Sequence, residues 1–245
     1  MTQAWVSSKI HTEELMLALS QECMKLPALA KAVGAKMGVV RDALEDLTER
    51  GILSQNGVFT WLPDRPFKFW LHRVYRPRRH GVLQNLSQTR ERFVQDLERY
   101  IQDFIHGTNG KLGERVETLL GRFSNERVRL DAKPVLLPQF KQIETGAGPD
   151  LFFAARGDHP WSVQISTQRI GEEDILEFMR RCKGHSQQPH RRVVVALKGM
   201  DENARLLAKQ KHIWGWELSQ LNFLMDLYNQ PVILRPPIAD EKVAG

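Results

Sequence analysis

Apolar positions in the first sixty residues recur at helical spacing. Leu15, Leu19 and Cys23, with Met16 and Ala18 beside them, mark a stripe along His11–Met24. Leu26–Val33 reads as a short second helix with Pro27 in its first turn and Gly34 at its end. Lys36–Arg50 is predicted as a third, with Val40, Leu44 and Leu47 buried and Gly51 as the stop. Ile52–Ser54 and Val58–Trp61 then look strand-like around Gln55-Asn56-Gly57, and Asn-Gly is a strong hairpin signal.

Pro63–Pro66 marks a boundary. After it Phe67, Phe69 and Leu71 alternate with Lys68, Trp70 and His72, which is a strand pattern. Leu83–His106 reads as one amphipathic helix, with Leu86, Phe93, Leu97, Tyr100 and Phe104 on its apolar side. Gly107–Gly110 breaks it. Lys111–Phe123 is a further predicted helix, and Arg127–Phe140 an apolar run interrupted by Pro134 and Pro138 that suits an edge strand or an irregular segment. Gly148–Thr167 reads as a hairpin. Glu172–Cys182 (helix), Arg192–Lys198 (buried strand), Ala204–Lys211 (helix), Ile213–Trp216 (strand) and Leu218–Tyr228 (helix) follow, then a short strand over Pro231–Leu234. The expected organisation is α+β or α/β: a domain over 1–64, a basic connector with a long helix over 65–109, an α/β domain over 110–237 and a tail over 238–245.

The 245 residues, 42% of them apolar, suffice for a sizeable core. The two cysteines lie far apart in helical segments, which argues against a disulfide framework and supplies no zinc site. No signal-peptide pattern opens the chain and no apolar run could span a bilayer, so a cytoplasmic protein without a membrane partner is the expectation. The net charge is +6, unevenly spread: six Lys/Arg against seven Asp/Glu in 1–62, nine against five in 63–109, and twenty against seventeen in 110–245. A basic excess of this kind favours polyanions or serves solubility alone.

Three helices and a two-stranded wing in this order resemble a winged helix-turn-helix domain over about residues 10–62. The resemblance implies that the start of Lys36–Arg50 enters the major groove, with Lys36, Met37, Gly38 and Arg41 exposed and Gln55 and Asn56 at the wing tip. The acids Asp42, Glu45, Asp46 and Glu49 in its second half keep a protein partner open beside DNA. In the connector, Lys68, Arg73, Arg76, Arg78 and Arg79 interleave with aromatic residues, a composition suited to phosphates and stacked bases, or to a packed strand with a solvated basic tail.

The hairpin carries Gly-Pro-Asp at 148–150 and Gln-x-Ser at 164–166. With the helix, β-meander, helix, strand order around it, residues 111–235 resemble the αβββαβ core of the PD-(D/E)xK, restriction-endonuclease-like superfamily. That resemblance implies metal-dependent phosphodiester cleavage, with Asp150 in the position of the metal-binding Asp. Gln164 stands where the family has Glu, and Ser166 where it has Lys. Glu117 matches the Glu that the family often brings to the metal from the first helix; alternatively it is a solvated helix residue. In an active enzyme Asp150, Gln164 and Glu117 would be the catalytic set, and Asp150 and Gln164 would hold Mg²⁺ or Mn²⁺. Arg169, Lys183 or Lys141 would have to replace the missing lysine, or Glu172 or Glu173 the missing carboxylate.

These observations imply a DNA-binding protein with an inactive nuclease-like domain and no cofactor, in regulation, a mobile element or defence, with a homodimer compatible with the long helix. The alternatives are an endonuclease with an altered site, and a protein-interaction scaffold.

Overall fold

The helical spacing of the first sixty residues becomes three helices: residues 12–19 (α1), Leu26–Val33 (α2) and Met37–Glu49 (α3). The computed structural model describes residues 12–79, 81, 86–108, 111–131, 133–146, 148, 150–155, 160–183 and 189–233. The chain is mixed α and β. It divides into two compact units, Met1–His106 with Arg127–Arg129, and Gly107–Glu126 with Leu130–Gly245. No helix among the described residues is long and apolar enough to cross a membrane.

In the first unit Leu15, Leu19, Leu29, Val40, Leu44 and Leu47 close on one another, with Leu53, Leu62 and Leu71 completing the core. Gly34 ends α2 at φ 68°, a left-handed conformation that costs glycine little. Met24–Lys25 (β1), Ser54–Asn56 (β2) and Phe59–Trp61 (β3) form an antiparallel sheet in the order β1-β3-β2. The hairpin is offset from expectation. Ile52 and Leu53 donate their N–H groups back to the carbonyl of Leu47, so they close α3 rather than enter the ladder. Gln55 consequently pairs with Thr60 inside the hairpin instead of sitting at its tip.

The connector is helical, which corrects the strand expected over 67–72. Arg65–Trp70 (α4) runs into a π-helical turn, Leu71–Tyr75, and then Arg76–Arg79 (α5). The Asp64 carboxylate accepts the N–H of Phe67 at 2.9 Å and Pro66 lies in the first turn, so 63–66 is a helix start. Phe67, Leu71 and Tyr75, four residues apart, pack together on the core; that helical period overrode the alternation. Leu86–Thr108 (α6) follows, and its Phe93 and Tyr100 rings each meet Phe69 edge-on at 5.6 Å.

The second unit is built on a five-stranded sheet. Leu112–Gly121 (α7) precedes a two-stranded sheet of Glu126–Leu130 (β4) and Lys133–Leu137 (β5). The main sheet has the order β10-β9-β8-β7-β6, from Gln142–Thr145 (β6), Leu151–Ala155 (β7), Trp161–Ser166 (β8), Arg191–Ala196 (β9) and Ile213–Glu217 (β10). β6, β7 and β8 form an antiparallel meander, whereas β8, β9 and β10 run parallel. Parallel neighbours need crossovers, and Glu172–Lys183 (α8) and Glu202–Gln210 (α9) supply them. Ile175, Phe178, Ala204 and Ala208 of these helices cover one sheet face, against Leu151, Phe153, Val194 and Ala196. Leu218–Leu227 (α10) ends the fold. Tyr228, beyond it, meets the Phe123 ring, which follows α7, at 5.3 Å and a tilt of 40°, and Phe140 links Phe123 to Trp161. Residues 231–233 form no strand; Leu234 and the expected tail lie outside the described residues.

Candidate functional site

The first unit offers cations in two places. At the start of α3, Lys36 and Arg41 are exposed, and so are Met37 and Val39, at 52% and 45%. Val40, Leu44 and Leu47 point into the core, so the exposed residues are those that the helical period turns outward. Asn56 closes β2 and is half-buried. In the connector, Lys68, Arg73 and Arg76 gather around His72. Burial, then the charges of Arg73 and Arg76, push the His72 imidazolium to a lower pKa, with Asp96 opposing them and Lys68 adding to them.

The connector arginines divide by partner. Arg79 contacts Glu14 at 2.8 Å and Glu13 at 3.4 Å, and Tyr75 donates its hydroxyl to Glu13 at 2.7 Å. Arg73 lies 3.6 Å from Asp96. Arg76 and Arg78 have no acidic partner among the described residues, and Arg78 is exposed. Sequence alone grouped Arg79 with the other connector cations; its pairing with Glu13 and Glu14 of α1 separates it from Arg76 and Arg78.

In the second unit, Asp150 forms a turn directly before β7. Its carbonyl accepts the N–H of Ile165 at 2.8 Å, and Leu151 pairs with Gln164. The antiparallel register therefore brings Asp150 and Gln164, fourteen residues apart in sequence, onto adjacent rungs. Both Asp150 carboxylate oxygens accept from Arg181 on α8: Nη1 to Oδ2 at 2.9 Å and Nη2 to Oδ1 at 3.1 Å. This pair holds the Asp150 carboxyl below the usual carboxylate range, chiefly through the Arg181 hydrogen bonds, against the opposing effect of burial.

Gln164 Oε1 is buried without a hydrogen-bond partner, although the residue as a whole is half-buried. It lines a cavity of about 20 Å³ with Ser166, Asp174 and the apolar Ile170, Phe178 and Val194. Ser166 Oγ turns to the backbone of Gln168, donating to its carbonyl at 3.1 Å and accepting its N–H at 3.2 Å. Asp174 accepts the N–H of Gly171 at 2.8 Å.

Glu117 is half-buried on α7, which packs on β6, while Asp150 adjoins β7. Among the described residues no three His, Cys, Asp or Glu side chains gather as metal ligands do. Asp150 is committed to a guanidinium and Gln164 offers only a neutral oxygen, so this arrangement does not fit Mg²⁺, which needs several hard oxygen ligands in near-octahedral array. The proposed substitutes for the lysine, Lys141, Arg169 and Lys183, are exposed, as are Glu172 and Glu173 in the first turn of α8. Arg181 is the residue that sequence reasoning missed. Its signal was its place near the end of a helix whose Ile175, Phe178 and Cys182 face the sheet.

No family model and no curated protein matches this chain. Among solved structures, protein VC1899 from Vibrio cholerae is similar over 87% of this chain and 48% of its own, at 11% identity and a TM-score of 0.28. The chain spans about half the length of that protein, and a likeness this loose identifies neither fold nor function.

Proposed function

We propose that the protein binds nucleic acid without cutting it, through a first unit of winged-helix type and a second, nuclease-like unit that has lost its metal chemistry. The observation that carries this reading is the uncovered start of α3, where Lys36 and Arg41 flank the exposed Met37 and Val39. A helix end bearing cations and small apolar groups suits phosphates and base edges. Arg76 and Arg78 supply a second group of cations. The Asp150–Arg181 pair favours binding over hydrolysis, because the carboxylate that a metal would use is already neutralised.

The test is fluorescence anisotropy with double-stranded DNA, single-stranded DNA and RNA of matched length, at several salt concentrations. Salt-dependent binding that falls at least tenfold in Lys36→Glu/Arg41→Glu is expected. Equal affinity in parent and variant would remove α3 from the reading, and metal-dependent nicking lost in Asp150→Ala would replace it with the endonuclease.

A second reading, self-association through α6, has its own observation. Val94, Leu97, Ile101 and Ile105 lie along one side of the helix and are 37–47% exposed. Sedimentation of the parent beside Ile101→Asp tests it: a dimer that the substitution dissociates supports the reading, and a monomeric parent ends it.

A further inference from the structure

A nuclease-like reading of the second unit leads one to expect a divalent ion on Asp150, and the residues around Asp150 are arranged against one. We infer that the guanidinium of Arg181 is a built-in cation that takes the place of a divalent metal at Asp150, closing this carboxylate to Mg²⁺ and Mn²⁺ and tying the start of β7 to α8. The inference rests on the nuclease-like reading only for the expectation of a metal.

Three observations carry it. The contact is two-pronged, with each carboxylate oxygen bonded to a different guanidinium nitrogen, at 2.9 and 3.1 Å. A planar fork of this kind satisfies a carboxylate as a unit, and arginine keeps its charge at any pH the protein survives. An ion binding there would have to displace these bonds or share the carboxylate with the guanidinium, whose positive charge opposes it.

Among the described residues, moreover, no three His, Cys, Asp or Glu side chains gather as metal ligands do. Gln164 on the adjacent rung is uncharged, and Ser166 is engaged with the Gln168 backbone.

The turn is also shaped to the pair. Gly148 has φ 120°, and a Cβ there would stand 2.8 Å from Asp150 Oδ1 and 3.3 Å from Arg181 Nη2. Glycine leaves room for the two side chains to meet; any larger residue would be strained and crowd them. Arg181 is 19% exposed and Asp150 39%, so the cation is the more enclosed partner.

The experiment titrates the full chain with Mn²⁺, without nucleic acid. Electron paramagnetic resonance counts bound ion, and paramagnetic broadening of the Gly148 and Asp150 amide signals reports binding at this turn in the unaltered protein. No selective broadening is expected, together with identical Mn²⁺ titrations of parent and Asp150→Asn. Unfolding temperatures of Asp150→Asn, Arg181→Met and the double variant form a cycle. Each single change is expected to lower the midpoint, the double change to lower it by less than their sum, and Arg181→Lys to recover part of the loss. Mn²⁺ bound at the turn and released by Asp150→Asn would overturn the inference, as would additive effects in the cycle. Neither readout involves DNA, so a failure of nucleic-acid binding would leave it standing, and its own failure would leave binding standing.

Discussion

The hydroxyl of Tyr228 donates to the carboxylate of Glu126 across 2.9 Å in the buried interior of the second unit. Glu126 is 4% exposed, and its Oε2 also accepts the N–H of Ser124 at 2.6 Å. A buried carboxylate needs such donors, and Tyr228 packs its tilted ring against Phe123 as it supplies one. The residue after α10 is thereby tied to the start of β4, 102 positions earlier.

Tyr228→Phe is expected to destabilise the fold by about 1.5–3 kcal/mol, the usual contribution of a hydrogen bond to a charged group. Urea unfolding measures it. Burial, then the charge of Glu126, raises the Tyr228 phenol well above its ordinary pKa of 10.0. A raised folded pKa means that the unfolded chain loses this proton first. Stability is therefore held below pH 10 and falls as the pH rises beyond it. Tyr228→Phe is expected to flatten that alkaline limb, and an unchanged limb would assign it to other groups.

Asp64→Ala tests whether the connector is held as a helix. Loss of the carboxylate that accepts the Phe67 N–H should cost about 1 kcal/mol. A strand over 67–72 would be indifferent to this change. Urea midpoints of parent and variant decide between them.

Gln164→Leu removes a buried oxygen that has no hydrogen-bond partner. Leaving such a group unsatisfied costs about 1–3 kcal/mol, so the apolar variant should be at least as stable as the parent. Thermal unfolding would show it. A clear loss of stability would mean that the amide supports the β8 rung through its other end.

Arg76 and Arg78 should matter to binding and Arg79 to folding. Arg76→Ala/Arg78→Ala is expected to weaken nucleic-acid affinity and to lower the slope of log affinity against log salt by about 2, one for each phosphate contact. Arg79→Ala breaks contacts to Glu13 and Glu14 instead, and should lower the unfolding temperature with a smaller effect on that slope. Anisotropy titrations and thermal melts on the same samples separate the two. Equal behaviour of the three arginines would show that the ion pairs do not divide them.

Much of the fold was legible because apolar period and punctuation agreed. Val40, Leu44 and Leu47 with Gly51 behind them define α3, and the run Val193–Ala196 defines a strand buried on both faces. Phe67–His72 misled because alternation over six residues fits a strand as well as two turns of helix. The decisive signals were Asp64 before it and Tyr75 after it. At the candidate site, Asp150 and Gln164 are neighbours through hairpin register, which a turn signal foretells. Arg181 is foretold only as a residue near the end of an amphipathic helix; its reach to Asp150 across 31 positions is a helix–sheet packing that no local pattern encodes.

The π-helical turn at Leu71–Tyr75 makes the connector sensitive to counting. An α-helix advances about 100° per residue, and a π turn holds one residue more than an α turn. Everything downstream is rotated by that surplus, including Arg76, Arg78 and Arg79. Winding the same five residues as α-helix instead would change neither composition nor charge. It would nevertheless swing Arg79 away from Glu13 and Glu14 and re-aim the other two cations by about 100°. Which way these charges face is therefore set by how the five residues before them are wound, which residue type alone does not record.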